Sequence, residues 1–266
     1  MKKKITHEKN NKLISILITN YNKEKFITKT INSCLVQNYK NLEILVFDDC
    51  STDNSLLKIK KFKNIKIFRN KKKKFNNSPL NQIYGVSYLF KRSKGYLIFL
   101  LDGDDEFKKG KVKYITNVFK TNKKLDFIQD QPFLSEKKNL MSLKIKNHFF
   151  SIWPSFYPTS CMTVKRSFFK KFLKFIYPNE FSNLEIDARL AIFAYLNLNF
   201  KKINRNLTVY NYDKEGITSK YPKYSINWWR KRNDAFKYLR RLSKKMNVRF
   251  DYGPDYFFTK IINFFI

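Results

Sequence analysis

The residues best suited to chemistry in this chain are the three carboxylates of Asp102-Gly103-Asp104-Asp105. They follow directly on an apolar run, Tyr96-Leu97-Ile98-Phe99-Leu100-Leu101, with the length and composition of a fully buried strand. Acids packed this closely repel one another unless a cation neutralises them. In open α/β sheets the carboxyl end of a strand is where ligands bind. Oxygen-only ligation suits Mg²⁺ or Mn²⁺ bridging protein carboxylates to substrate phosphates. The plainer reading is a solvated acidic turn after a core strand, and the motif alone does not separate the two.

Two earlier apolar runs end in the same way. Leu13-Ile14-Ser15-Ile16-Leu17-Ile18 reads as a strand ending at Thr19-Asn20-Tyr21-Asn22-Lys23. Leu42-Glu43-Ile44-Leu45-Val46-Phe47 reads as a second, ending at Asp48-Asp49-Cys50-Ser51-Thr52-Asp53. Between them, residues 24–38 carry Phe26, Ile27, Ile31, Cys34 and Leu35 at helical spacing. A helix capped by Ser51 or Thr52 and running through Phe62, a short strand over 65–68, a basic loop over 71–79 and a helix over 80–91 lead to the acidic cluster. This alternation predicts an α/β fold with a doubly wound, mostly parallel sheet flanked by helices. Right-handed crossovers then bring the three polar clusters to one edge and into one cleft.

The second half is less regular. Its expected elements are a helix over 111–119, strands over 125–129 and 162–164, a strand or amphipathic piece over 141–150, and a helix over 183–196 opening Glu185-Ile186-Asp187. A strand over 203–212 and a long basic helix over 226–246 follow, then an apolar tail.

Composition sets limits. The 266 residues carry 55 Lys and Arg against 21 Asp and Glu, a net charge of +34. Such a charge suits nucleic acid or an anionic membrane. The scarcity of Gly (6) and Pro (7) beside abundant Lys and Phe points instead to codon bias, and no nucleic-acid module signature is present, so nucleic acid is the disfavoured partner. Contact with anionic phospholipid is compatible with either origin. No uncharged run reaches the ~18 residues of a membrane span, and no signal-peptide core follows the basic start, so a cytoplasmic chain is expected, peripheral on the membrane at most. The three cysteines, Cys34, Cys50 and Cys161, lack metal-type spacing and read as small apolar residues.

Taken together, Ile16-Leu17-Ile18-Thr19-Asn20-Tyr21-Asn22, Val46-Phe47-Asp48-Asp49-Cys50-Ser51-Thr52-Asp53 and Phe99-Leu100-Leu101-Asp102-Gly103-Asp104-Asp105 resemble the family 2 glycosyltransferases of GT-A fold. The match is good over residues 13–120 and loose beyond. The resemblance implies an inverting enzyme that moves one sugar from a nucleotide sugar, a UDP-sugar, to a glycan or lipid-linked saccharide during cell-surface polysaccharide synthesis. The alternatives are a nucleic-acid-binding basic protein and a non-catalytic GT-A domain. It further implies residues 1–120 as the nucleotide-sugar half, 121–220 as the acceptor and catalytic half, and 221–266 as a basic helical extension.

By that resemblance Asp104 and Asp102 hold Mn²⁺ or Mg²⁺, with Asp102 facing ribose or metal and Asp105 orienting the loop. Asp49 accepts from the uracil N–H, and Thr19 and Tyr21 hold the base; Asn22 and Ser51 complete the donor set. Asp48 and Asp53 have turn and cap readings, favoured for Asp53. Inversion needs a base for the acceptor hydroxyl, and Asp187 is the expected one with Glu185 as runner-up; Arg189 orients Asp187 or pairs with it on the surface. Many family members carry an Arg-Asn pair before the third core strand, and here Pro79-Leu80-Asn81-Gln82 has no Arg. Lys74, Arg92 or the cluster Trp228-Trp229-Arg230-Lys231-Arg232 is left to supply that cation. Pro158-Thr159-Ser160-Cys161 resembles the acceptor-side loop.

Overall fold

A computed structural model describes residues 12–141, 155–214, 216–249 and 252–266. The first half is β1 (Ile14–Asn20), α1 (Ile27–Leu35), β2 (Leu42–Asp48), α2 (Ser55–Lys60), β3 (Lys66–Arg69), α3 (Ser78–Arg92) and β4 (Leu97–Asp102). These four strands are parallel, in the order β3-β2-β1-β4. Both faces of the sheet are buried, and alternation along each strand feeds two cores. Ile14, Ile16 and Ile18 of β1 pack with Ile27, Ile31 and Cys34 of α1, while Leu17 packs with Leu80, Ile83 and Val86 of α3.

The second half comprises β5 (Glu106–Phe107), α4 (Lys111–Thr121), β6 (Phe127–Leu134), β7 (Asn139–Leu140), β8 (Met162–Lys165), α5 (Arg166–Leu173), α6 (Ile186–Asn197), β9 (Phe200–Tyr210), α7 (Ile226–Met246) and α8 (Pro254–Phe265). The sheet continues without a break past residue 120, as β4-β8-β6-β9-β5 with β7 on β6. Strand β8 runs antiparallel to both β4 and β6, so the turn that enters it, Thr159–Cys161, arrives at the edge where β1, β2 and β4 end. The buried Lys111 ammonium fixes that turn: it lies 2.6 Å from Asp130 of β6, 2.8 Å from the Ser160 carbonyl and 2.7 Å from Thr208 of β9. Helix α7 seals one core with Phe236, Tyr238, Leu239 and Leu242.

Several local expectations are corrected. Helix α2 starts at Ser55, later than a cap at Ser51 or Thr52 requires, because Asp53 Oδ1 accepts from the Ser55 N–H at 2.9 Å. The Ser51 hydroxyl is spent on Asp48 at 2.6 Å. The last strand runs from Phe200 to Tyr210, earlier than 203–212 at both ends. Of the piece expected over 141–150, residues 142–150 lie outside the described residues, as do His7 and His148.

Candidate active site

Parallel pairing sets the three polar clusters at one height. Thr19 is the register partner of Asp102, and Asn20 of Asp48. Thr19 Oγ1 donates to Asp102 Oδ1 at 3.2 Å, and Asn20 Nδ2 to Asp48 Oδ1 at 2.8 Å. The acidic loop packs so tightly on the end of β1 that a Cβ on Gly103 would sit 2.8 Å from Asn20 Oδ1 and 3.1 Å from the Thr19 carbonyl. The cleft above is lined by Thr19, Tyr21, Asp49, Asp102 and Asp104 from the first half of the chain, and by Glu185 and Asp187 from the second.

The three acids of the loop have different surroundings. Asp102 Oδ1 also accepts from Gln82 Nε2 at 2.9 Å, and burial followed by the charge of Asp104 pushes its carboxyl up to about 6. Asp104 lies 2.6 Å from the Lys23 ammonium, which also pairs with Asp213. Burial opposes the charge on Lys23, but Asp104 and Asp213 outweigh it and hold the amine above its ordinary value. Asp105 is fully buried; it accepts from Ser160 Oγ at 2.5 Å and from the Asn211 N–H at 2.9 Å. Burial, then Asp104 and Asp102, raise it well above the usual carboxylate range. Its bonds tie the acidic loop to the turn before β8 and to the end of β9.

Across the cleft, Glu185 occupies the cap position of α6 and Asp187 its first turn. Asp187 Oδ1 accepts from the Ala188 N–H at 2.6 Å. Burial and then the charge of Glu185 push the Asp187 carboxyl up to about 7, against the pull of Lys231. Glu185 pairs with that lysine, at 2.6 Å from Oε1. Arg189 neither orients Asp187 nor lies on the surface. Its guanidinium is buried and donates to the carbonyls of Leu184, Tyr177, Glu180 and Phe181 at 2.7–3.0 Å, and to that of Ile176. The loop it gathers holds Tyr177 (φ 46°) and Phe181 (φ 56°) left-handed, which bulky residues resist.

The donor-side residues divide. Asp49, raised by burial, accepts from Asn70 Nδ2 at 3.1 Å and faces the cleft. Tyr21 is 40% exposed, with the Lys73 ammonium 3.6 Å from its ring centre. Asn22 and Ser51 are not among the lining residues and join the two loops instead. The Ser51 hydroxyl accepts from the Asn22 N–H at 3.0 Å, and Asn22 Oδ1 from the Thr52 N–H at 2.8 Å.

Of the expected cations only Lys231 reaches the cleft, through its pairing with the lining residue Glu185. Arg92 stacks on Tyr88 at 3.4 Å, and Arg232 is bound to Asp255 and Thr259. Lys23, Lys73 and Lys220 line the cleft, as does Gln82, while Lys74 does not. Sequence reading also missed the end of β9 and the segment after it, which contribute Tyr210, Asn211, Tyr212 and Asp213. Its signal was available: Tyr210-Asn211-Tyr212-Asp213 closes a strand with the same kind of polar cluster as Thr19-Asn20-Tyr21-Asn22.

A family model described as glycosyl transferase family 2 matches residues 15–179. The chain belongs to that family. This family 2 member is 35% identical over 124 residues to the dolichyl N-acetyl-alpha-D-glucosaminyl phosphate 3-beta-D-2,3-diacetamido-2,3-dideoxy-beta-D-glucuronosyltransferase of Methanococcus voltae, a match covering 42% of this chain and 36% of that protein. It is 35% identical over 111 residues to the UDP-Glc:alpha-D-GlcNAc-diphosphoundecaprenol beta-1,3-glucosyltransferase WfaP of Escherichia coli, covering 42% and 43% of the two. The chain thus spans about two-fifths of the length of these relatives. The crystal structure of Staphylococcus aureus TarS in complex with UDP-GlcNAc superposes with a TM-score of 0.66 at 17% identity, over 90% of this chain and 68% of that one. The mannosyltransferase PcManGT from Pyrobaculum calidifontis, in complex with GDP-Man and Mn²⁺, gives 0.59 at 10% identity, over 94% and 69%. The fold of this family 2 member is GT-A.

Proposed function

We propose that the chain transfers one sugar from a nucleotide sugar, a UDP-sugar, to a saccharide or lipid-linked saccharide in the synthesis of a cell-surface glycan, with inversion at the anomeric carbon. One observation carries the reading. A carboxyl pushed up to about 7, on Asp187, shares a cleft with the Asp102–Asp104 loop. Departure of a diphosphate requires one wall to hold growing negative charge and the other to accept a proton. A base titrating near the working pH combines a usable carboxylate fraction with real proton affinity. The acceptor hydroxyl gives its proton to Asp187 as its oxygen bonds to the anomeric carbon, and the bond to the diphosphate oxygen breaks on the opposite face. Glu185 is the second choice for this role because Lys231 already holds its carboxylate.

The donor set fits a hard divalent cation shared with phosphate. Among the described residues no group of three or more His, Cys, Asp or Glu makes a ready-formed site, but Asp104 and Asp102 offer oxygens that phosphate oxygens would complete. Mn²⁺ or Mg²⁺ bound there supplies charge neutralisation for the leaving diphosphate. Lys23, Lys73 and Lys220 add fixed positive charge at the same cleft. Asp49 receives the uracil N–H, Tyr21 stacks on the base and Thr19 positions it.

The proposed location is cytoplasmic, at the inner face of the cytoplasmic membrane as a peripheral component. None of the described helices is long and apolar enough to cross a membrane, and the charge of +34 favours anionic headgroups. The test is a thermal-shift screen of nucleotide sugars with and without Mn²⁺, followed by transfer assays on the best ligand. Stabilisation by UDP-sugars is expected; no shift with any nucleotide sugar overturns the reading.

A further inference from the structure

Helix α8 is inverted relative to an ordinary surface helix. Its inward side mixes Tyr256, packed on Phe236 and Tyr252, with polar groups. Asp255 and Thr259 are buried, and Thr259 Oγ1 takes Arg232 Nε of α7 at 3.1 Å while the Asp255 carboxylate takes a terminal nitrogen of the same guanidinium. Asn263 Nδ2 donates to the Trp229 carbonyl at 3.0 Å. Its outward side carries Phe257, Phe258, Ile261, Phe264 and Phe265, all exposed, with Phe264 at 84% and Phe265 at 78%. The spacing i, i+1, i+4, i+7, i+8 makes these one stripe. With aromatic side chains of 150–250 Å², the stripe amounts to something on the order of 700 Å² of apolar surface, beyond the few hundred that a soluble surface usually leaves bare.

Cations flank the stripe. Lys260 of α8 donates to Asn233 Oδ1 of α7 at 3.1 Å, and burial, then the charges of Lys237 and Arg240 of α7, hold its amine below its ordinary value. Lys244 and Lys245 are exposed further along α7. A second copy of the chain would bring the same cations against themselves. An anionic surface with an apolar interior answers both features at once. At 1.5 Å per residue α8 is roughly 18 Å long, too short to cross a ~30 Å hydrocarbon core but suited to lying in the interface.

We infer that the outward face of α8, with the cations of α7 beside it, docks into the headgroup boundary of an anionic lipid bilayer. Two neighbouring residues of α7 fix where the cleft then lies. Arg230 donates to the Ile266 carbonyl at 2.9 Å, and Lys231 holds Glu185 in the cleft. The most exposed end of α8 is therefore anchored one residue away from the contact to the cleft. This surface does not rest on the proposed reaction; it deepens the proposed peripheral location by naming the face that makes the contact.

Vesicle flotation of the full chain tests the inference. The chain should float with phosphatidylcholine vesicles containing phosphatidylglycerol, and far less with phosphatidylcholine alone. Phe264→Glu with Phe265→Glu should weaken partitioning about tenfold or more. Lys237→Gln and Arg240→Gln should weaken it about fivefold each, on the anionic vesicles only. UDP binding should be unchanged in these variants, which separates loss of docking from loss of the fold and from failure of the proposed reaction. Should the double Glu variant misfold, Ile261→Ser in the same stripe reads the same partitioning. A wild-type chain that does not float, or Phe variants that float equally well, overturns the inference. So does a wild-type dimer dissolved by the Phe variants without any flotation, which assigns the stripe to a second copy.

Discussion

The Lys23 ammonium sits 2.6 Å from the Asp104 carboxylate and bridges it to Asp213. The acidic loop at the end of β4 therefore carries its own counter-ion, and any cation that comes with a donor must compete with it. Lys23→Ala is expected to bind Mn²⁺ about fivefold more tightly, since removing a contacting positive charge at the rim of a protein is worth on the order of 1 kcal/mol. It should also lose affinity for UDP measured without metal. Calorimetric titration of Mn²⁺ and UDP separately checks this, and weaker Mn²⁺ binding by the variant would contradict it.

Asp187→Asn removes the proposed base and keeps its shape. UDP-sugar affinity should stay within about twofold while turnover falls about a thousandfold, the middle of the range for a positioned acid or base. Turnover equal to wild type would move the role to Glu185.

The pH dependence has two opposite arms. With Asp187 as the proposed base, turnover would need its carboxylate form, so kcat/KM should rise about tenfold per pH unit up to about 7 and level off. Stability should move the other way. Asp187 and Asp102, pushed up to about 7 and about 6, bind protons more tightly folded than unfolded. The native state then holds more protons than the unfolded chain across roughly pH 4–7, so the stability they contribute is greatest at the acid end and lost as pH rises through that window. Denaturant titrations at several pH values read this slope. Asp187→Asn should flatten it, and an unchanged slope would contradict the assignment.

Gly103→Ala tests the packing that aims the carboxylates. The added methyl has 2.8 Å to Asn20 Oδ1, so β1 and the acidic loop must part. A loss of about 1–3 kcal/mol in stability is expected, as for other overpacked sites, together with weakened UDP binding although no donor contact is removed. Thermal unfolding with and without UDP checks both.

The ordered trio of strand ends was legible in sequence because each carboxyl terminus changes abruptly from apolar to polar, and parallel register does the rest: Thr19 meets Asp102 and Asn20 meets Asp48. Helix α7 was legible from Ile226 to Met246 by its spacing. What sequence did not expose were partnerships set by long-range topology. The reversal of β8 brings Ser160 to Asp105, the crossover to β9 brings Asp213 to Lys23, and Lys111 finds Asp130 in the core. The lysines of this chain look alike in a string of fifty-five basic residues, and only burial distinguishes Lys23 and Lys111 from the solvated ones.

Arg189 draws the carbonyls of Ile176, Tyr177, Glu180, Phe181 and Leu184 onto one guanidinium. A loop whose backbone oxygens all answer to a single point has no way to fray residue by residue. Its amides should exchange with solvent as one cooperative unit, with one opening free energy shared from residue 176 to 184. Because α6 begins where that loop ends, each such opening should also displace Glu185 and Asp187. The lifetime of the proposed reactive geometry should then depend on a side chain whose hydrogen bonds all lie outside the cleft.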